Sequence, residues 1–222
     1  MTQRLTAVAM ILGSLLLLTG TLLRSQFNFF FPDQLAAMTT HPGLTTAAYT
    51  CFLAGNVLMW PAVLALSSRI RSYWGGALVM FGLFERTFHA GIDQFALNLA
   101  YRHGASFATD LVAQSYQDIH LFSFLSFTIM FGWFVLAFEA YRAKALGVVR
   151  SIGLASMGLL PLGVLKGTEL LSIVGTIGLC VAFLPEGVRL MRGAPRPSRR
   201  SLVLTAIAVP VLGALAFAST FG

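Results

Sequence analysis

Long apolar runs, separated by short polar or basic stretches, recur from one end of the chain to the other. Seven are long enough to cross a bilayer as helices: residues 6–23, 44–67, 73–99, 118–141, 148–165, 169–190 and 201–219. The pattern predicts an all-α integral membrane protein, a seven-transmembrane-helix bundle in which residues 1–222 form one polytopic transmembrane domain. The spacing leaves room for short loops and none for a separate soluble domain. The fifth run is the weakest, because Lys166 and Glu169 crowd its end; six spans plus a re-entrant hairpin is the alternative. Arg4 ahead of the first run suggests a signal peptide. That run is longer than a usual signal core, however, and no small-x-small cleavage site follows Leu23, so it reads as a retained anchor.

Composition agrees with the pattern. Hydrophobic residues make up 57% of the chain and charged ones 10%, with a mean hydropathy of +0.79, outside the range of soluble globular domains. The formal net charge of +7 is a matter of placement. Arg4, Arg69, Arg71, Arg142, Lys144, Arg150 and the arginines between 189 and 200 fall at the N-terminus or after an even-numbered span, whereas only Arg24, Arg102 and Lys166 fall in the opposite loops. The positive-inside rule then puts the N-terminus in the cytoplasm and the C-terminus outside, in a cell inner (plasma) membrane. Anionic headgroups are the natural partners of that charge. A nucleic acid is not expected, because the segment from Arg189 to Arg200 is one short loop.

Within the third run, Phe84-Glu85-Arg86-Thr87-Phe88-His89-Ala90-Gly91-Ile92-Asp93 places four ionisable side chains in hydrocarbon. Such groups are costly there and are usually kept for a task. At 100° per residue Glu85, His89, Asp93 and Arg86 share one narrow face over roughly 12 Å of rise, and that face must look into the protein. In the predicted orientation Glu85 and Arg86 lie near the middle of the membrane and Asp93 at its outer boundary. His120 starts the fourth span just under the outer surface, and Lys166 and Glu169 flank the outer turn between spans five and six. The ionisable groups thus gather in the outer half, the pattern of a site entered from the outer leaflet or the outside face. Two outer segments offer to cover it: residues 25–43, with Phe27, Phe29, Phe30, Phe31, Pro32 and His41-Pro42-Gly43, and the polar stretch from Arg102 to Gln117, with room for a short helix.

Acid–base chemistry is the first reading of the stripe. Glu85 and Asp93 serve as proton donor or acceptor, His89 relays or orients between them, and Arg86 binds an anion or tunes a carboxylate. Asn56, His120, Lys166 and Glu169 complete a substrate-binding set. The expected activity is that of an intramembrane enzyme, of cyclase or isomerase type, on a lipophilic, lipid- or isoprenoid-like molecule, with no cofactor. One alternative is a redox protein holding zinc, copper or haem through His89, Asp93 and His120. Another is a transporter, immunity or assembly factor whose stripe binds a cargo or a partner helix. The stripe can also be a structural knot that ties the third span to its neighbours through Asn56, Ser123 and Ser126.

Other motifs narrow the field. The chain has no Gly-Lys-Ser/Thr phosphate loop, no Gly-x-Ser-x-Gly elbow and no His-Glu-x-x-His, and its last span has no Lys for a retinal. Cys51 and Cys180 are lone residues in separate apolar runs and read as small buried side chains. Gly153, Ser156 and Gly158, with Gly175 and Gly178, predict close approach of spans five and six. Pro61, Pro161, Pro185 and Pro210 are expected to disturb the helices that contain them.

Overall fold

The structure, a computed structural model, describes residues 3–71, 73–115, 121–160, 167–195 and 198–219. Among these residues every regular element is helical. They are α1 (Gln3–Arg24), α2 (Phe31–Thr40), α3 (Pro42–Ile70), α4 (Trp74–His103), α5 (Ala105–Ser115), α6 (Leu121–Arg142), α7 (Val148–Ala155), α8 (Leu170–Gly193) and α9 (Arg199–Ala218), with a single 3-10 turn at Ser156–Leu159. The chain divides into two compact units, Met1–Arg192 and Gly193–Gly222. The second contains α9, which carries Pro210 within it and presents Val203, Leu204, Ile207 and Leu212 on exposed positions.

Each of the seven apolar runs contains a helix among its described residues, and α2 and α5 are additional short helices in the segments 25–43 and 102–117. Four helices are long and apolar enough to cross a membrane: Gln3–Arg24, Pro42–Ile70, Phe124–Arg142 and Leu170–Gly193. The longest helix, α4, has 30 residues, a rise of about 45 Å. Its charged stripe keeps it out of that set.

The fifth run departs from expectation. Instead of one helix over 148–165, α7 has 8 residues and gives way to the 3-10 turn. Leu160 then turns to extended backbone at φ −65°, ψ 128°. The reason is local: Leu160 precedes Pro161, whose ring disfavours the helical conformation in the residue before it. Residues 161–166 lie outside the described set, and the expected bend at Pro161 lies with them. Pro61 and Pro185 sit inside α3 and α8, which continue through them.

Two apolar clusters organise the first unit. The larger joins α1, α3, α4, α6, α7 and α8 through residues such as Leu17, Met59, Leu66, Leu83, Trp133 and Phe183. The smaller joins α2, α3, α4 and α5 through Phe31, Leu35, Met38, Tyr49, Leu97 and Ala108. Outward-facing Leu12, Phe81, Phe124, Phe131 and Val174 are exposed in a band that water would not tolerate and lipid does. The small residues expected to bring spans five and six together do so. A Cβ on Gly178 would lie 2.6 Å from the carbonyl oxygen of Gly153 and 3.0 Å from its Cα, so the backbones of α7 and α8 touch there. Gly158 instead packs against Phe134 and the Met130 carbonyl of α6.

The two ends of this unit differ in chemistry. At one, the Glu186 carboxylate is 3% exposed and receives Arg69 at 2.5 Å, Arg150 at 3.3 Å and Arg189. Arg150 also donates to the Ala182 carbonyl at 2.7 Å, which fastens the start of α7 to the middle of α8. Nearby, Glu139 of α6 accepts from the Gly75 N–H of α4 at 3.0 Å. The other end holds the polar stripe. Along α8 the two are separated by the fourteen residues from Ser172 to Glu186, about 21 Å.

Candidate functional site

Two close helix approaches build the site. In the first, α1 lies against α3: a Cβ on Gly20 would stand 2.6 Å from the Phe52 nitrogen and 2.7 Å from the Ala48 carbonyl oxygen. Only glycine permits that approach. One turn later on the same face comes Arg24, 5% exposed although it is the last residue of α1. Its guanidinium lies over the rings of Phe52, at 4.4 Å, and Tyr49, at 5.0 Å. In the second approach, α3 lies against α4 through Asn56. Its amide donates to the Leu83 carbonyl at 3.1 Å and to Thr87 Oγ1 at 2.9 Å.

That tie orients the stripe. Glu85 is fully buried and turned towards α6, where its Oε1 accepts from Ser126 Oγ at 2.8 Å and lies 3.2 Å from His89 Nε2. Arg86, His89 and Asp93 follow along one wall of a cavity of about 70 Å³, room for a few waters or one small polar group. Across from them stand Arg24, Tyr49, Phe52 and Leu53. Ile129, Leu160, Gly167, Ser172 and Gln94 complete the lining. Arg86 is 5.9 Å from the Phe52 ring centroid and reaches the Leu160 carbonyl at 3.5 Å. Its Nε is buried without a hydrogen-bond partner among the described residues. Arg24 is close enough to repel it and Asp93 close enough to attract it.

The rim is tied down by the two loops that flank it. Gly167 donates its N–H to the Phe29 carbonyl at 2.9 Å, and Thr168 Oγ1 donates to the Thr21 carbonyl at 2.7 Å. Phe31 and Leu35 of α2 pack into the smaller apolar cluster with α4 and α5. The segment expected to be interfacial thus forms a buttress on the C-terminal part of α4, and the polar stretch after Arg102 carries the short helix α5.

Three of the expected site residues, Arg86, His89 and Asp93, share the cavity wall. Glu85 stands behind His89. Asn56 holds α3 to α4, and Glu169 immediately precedes α8, where its N–H donates to Ser172 Oγ at 3.2 Å. His120 and Lys166 lie outside the described residues, as does the side chain of Ser123. Among the described residues no three His, Cys, Asp or Glu side chains gather as a metal ion would need. The expected metal set therefore turns on His120.

Arg24, Tyr49 and Phe52 are cavity residues beyond the expected set. A signal was available for the first: Arg24 is a cation at the end of an apolar run, in the set of loops that holds few basic residues. Tyr49 and Phe52 carried none, because an aromatic in an apolar helix is ordinary. No protein-family model, no curated protein and no solved structure matches the chain.

Proposed function

We propose that the protein is an intramembrane enzyme that acts on a lipophilic molecule by proton transfer in this cavity. The observation that carries the reading is one wall of an otherwise apolar bundle on which a carboxylate, an imidazole and a guanidinium face the same small space. Asp93, beside the rim, is the candidate acid or base. His89 is the candidate relay. With Nε2 towards the buried Glu85 carboxylate, an imidazolium formed by uptake of a proton at Nδ1 is stabilised from behind, the role a carboxylate plays beside a catalytic histidine. Ser126 holds that carboxylate in place. Phe52, Leu53, Ile129 and Leu160 give the reactant an apolar bed and keep water scarce, which strengthens every charge interaction inside.

The reading extends to topology. Besides the four helices of sufficient length and hydropathy, α4 is long enough to cross and hides its charges inward, and α9 is a further crossing. The basic end around Glu186 then faces the cytoplasm and the cavity opens in the outer half of the inner membrane.

The test is conversion of lipid. Purified protein in nanodiscs is incubated with an extract of total membrane lipids, and products are sought by mass spectrometry. Wild type is expected to deplete one lipid class and to accumulate an isomer or dehydration product. Asp93→Asn and His89→Ala are expected to lose that conversion while keeping wild-type expression and melting temperature. A lipophilic compound that is retained but never altered would replace the enzyme by a carrier. Stoichiometric zinc, copper or iron in the purified protein, lost in His120→Ala, would replace proton transfer by metal chemistry.

A further inference from the structure

The cavity brings together two guanidinium groups that come from helices far apart in the sequence. Arg24 is carried to it by the glycine contact between α1 and α3, and Arg86 by the Asn56 tie between α3 and α4. Both lie against the ring of Phe52, at 4.4 and 5.9 Å from its centroid, and both line the one cavity. Two like charges in a poorly solvated space repel strongly, and the carboxylate facing them in the lining is that of Asp93. Glu85 is turned away, to Ser126 and His89. Arg86 also keeps a buried N–H donor, Nε, with no acceptor among the described residues. Buried donors of this kind are rarely left empty. A planar fork of N–H groups held against an aromatic face is the arrangement that recognises a carboxylate or a phosphate through paired, charge-assisted hydrogen bonds.

We propose that the cavity binds a carboxylate or phosphate group between Arg24 and Arg86, and that this group is the anionic end of the lipophilic reactant. The inference rests on the reading of the cavity as a reaction site and names the class of its substrate: a single-chain or isoprenoid-like acid or phosphate ester. The anionic end sits between the arginines, and the first carbons of the apolar body meet Leu53, Ile129 and Leu160. Clamping the head fixes which carbon of the body lies opposite His89 and Asp93, so the arginines are binding and positioning residues. A cavity of about 70 Å³ suits the headgroup alone, so the chain must leave it towards the lipid.

The experiment measures ligand-induced thermal stabilisation and direct binding with the full-length protein in phosphatidylcholine nanodiscs. The probes are oleate, oleyl phosphate, oleyl alcohol, acetate and inorganic phosphate. Oleate or oleyl phosphate is expected to bind and raise the melting temperature, and oleyl alcohol, of the same chain without the charge, is not. Binding by the lipid acids alone supports the clamp and its lipid headgroup, whereas equal binding by acetate or phosphate keeps the clamp and overturns the lipophilic reactant as the source of the anion. Arg24→Gln and Arg86→Gln are expected to weaken binding about tenfold or more, and the lysine variants to recover part of it, because one charge-assisted contact is removed in each. Oleyl alcohol binding as tightly as oleate would overturn the proposal on wild-type protein alone, whether or not the variants fold. Asp93→Asn separates this from the catalytic reading. Retained acid binding without conversion supports both, while retained binding with unimpaired conversion leaves the clamp standing and removes the proton-transfer role of Asp93.

Discussion

Asn56 shows how a single polar residue in hydrocarbon can hold two helices without being reactive. It is 2% exposed and donates to both Leu83 O and Thr87 Oγ1 of α4. Thr87 Oγ1 donates to the same Leu83 carbonyl at 2.9 Å, so these acceptors keep a partner when the amide is gone. Asn56→Ala is therefore expected to cost only about 1 kcal/mol, the size of an ordinary interhelical hydrogen bond in a membrane protein. Thermal denaturation in detergent should show a small fall in melting temperature with binding of oleate intact. Loss of binding would mean that the register of α4 against α3 is set by this one side chain. Glu85 is the contrasting case at this scale. Its partners His89 and Ser126 can satisfy it as a structural knot or hold it as the rear of a relay. Activity, more than stability, distinguishes the two roles.

Among the elements, α7 and α8 depend most on exact backbone approach. Gly153 and Gly178 put the two chains in contact, Arg150 donates to Ala182 O, and Glu186 gathers Arg69, Arg150 and Arg189 from three helices. Gly178→Val places a branched side chain against the Gly153 carbonyl and Ser156 and is expected to destabilise by about 1–3 kcal/mol through overpacking. The measurement is a denaturant or thermal midpoint of the purified variant. A midpoint equal to that of wild type would show that α7 can shift freely on α8. The arginine node resists a similar ledger of single bonds, because Arg69 and Arg189 are 43% and 60% exposed in their side chains and can turn to headgroups when Glu186 is removed.

For the whole molecule, the decisive question is which end faces the cytoplasm. The first unit carries Arg69, Arg142, Arg150 and Arg189 at one end and the mixed cavity of Arg24, Arg86 and Asp93 at the other. The proposed topology turns the first towards the cytoplasm, on the positive-inside rule. Reporter fusions after Arg71, Arg150 and Arg200 are accordingly expected to report cytoplasm, and fusions after Gly43, Gly104 and Gly222 the outside. A cytoplasmic C-terminus would remove the seven-crossing topology and favour six crossings with the region of α7 as a re-entrant hairpin. The short α7, ended by the residue before Pro161, makes the fusion at Gly222 the most informative of the set.

Helical class, the positions of the long helices and the charged stripe on α4 were legible along the chain. Each is a one-dimensional property: runs of apolar residues longer than a bilayer is thick, and side chains that recur on one face every three or four positions. Even the short fifth helix left a trace in the crowding of Lys166 and Glu169, and Pro161 supplied its stop. The partnership of Arg24 with Arg86 could not be read in this way. It depends on the glycine contact of α1 with α3 and on the Asn56 tie of α3 to α4, two interhelical distances that no local pattern encodes. The division of labour in the stripe was equally hidden. Helical spacing puts Glu85, Arg86, His89 and Asp93 on one face, but only the position of α6, with Ser126 in reach of Glu85, turns that carboxylate behind His89 and leaves the other three on the cavity wall.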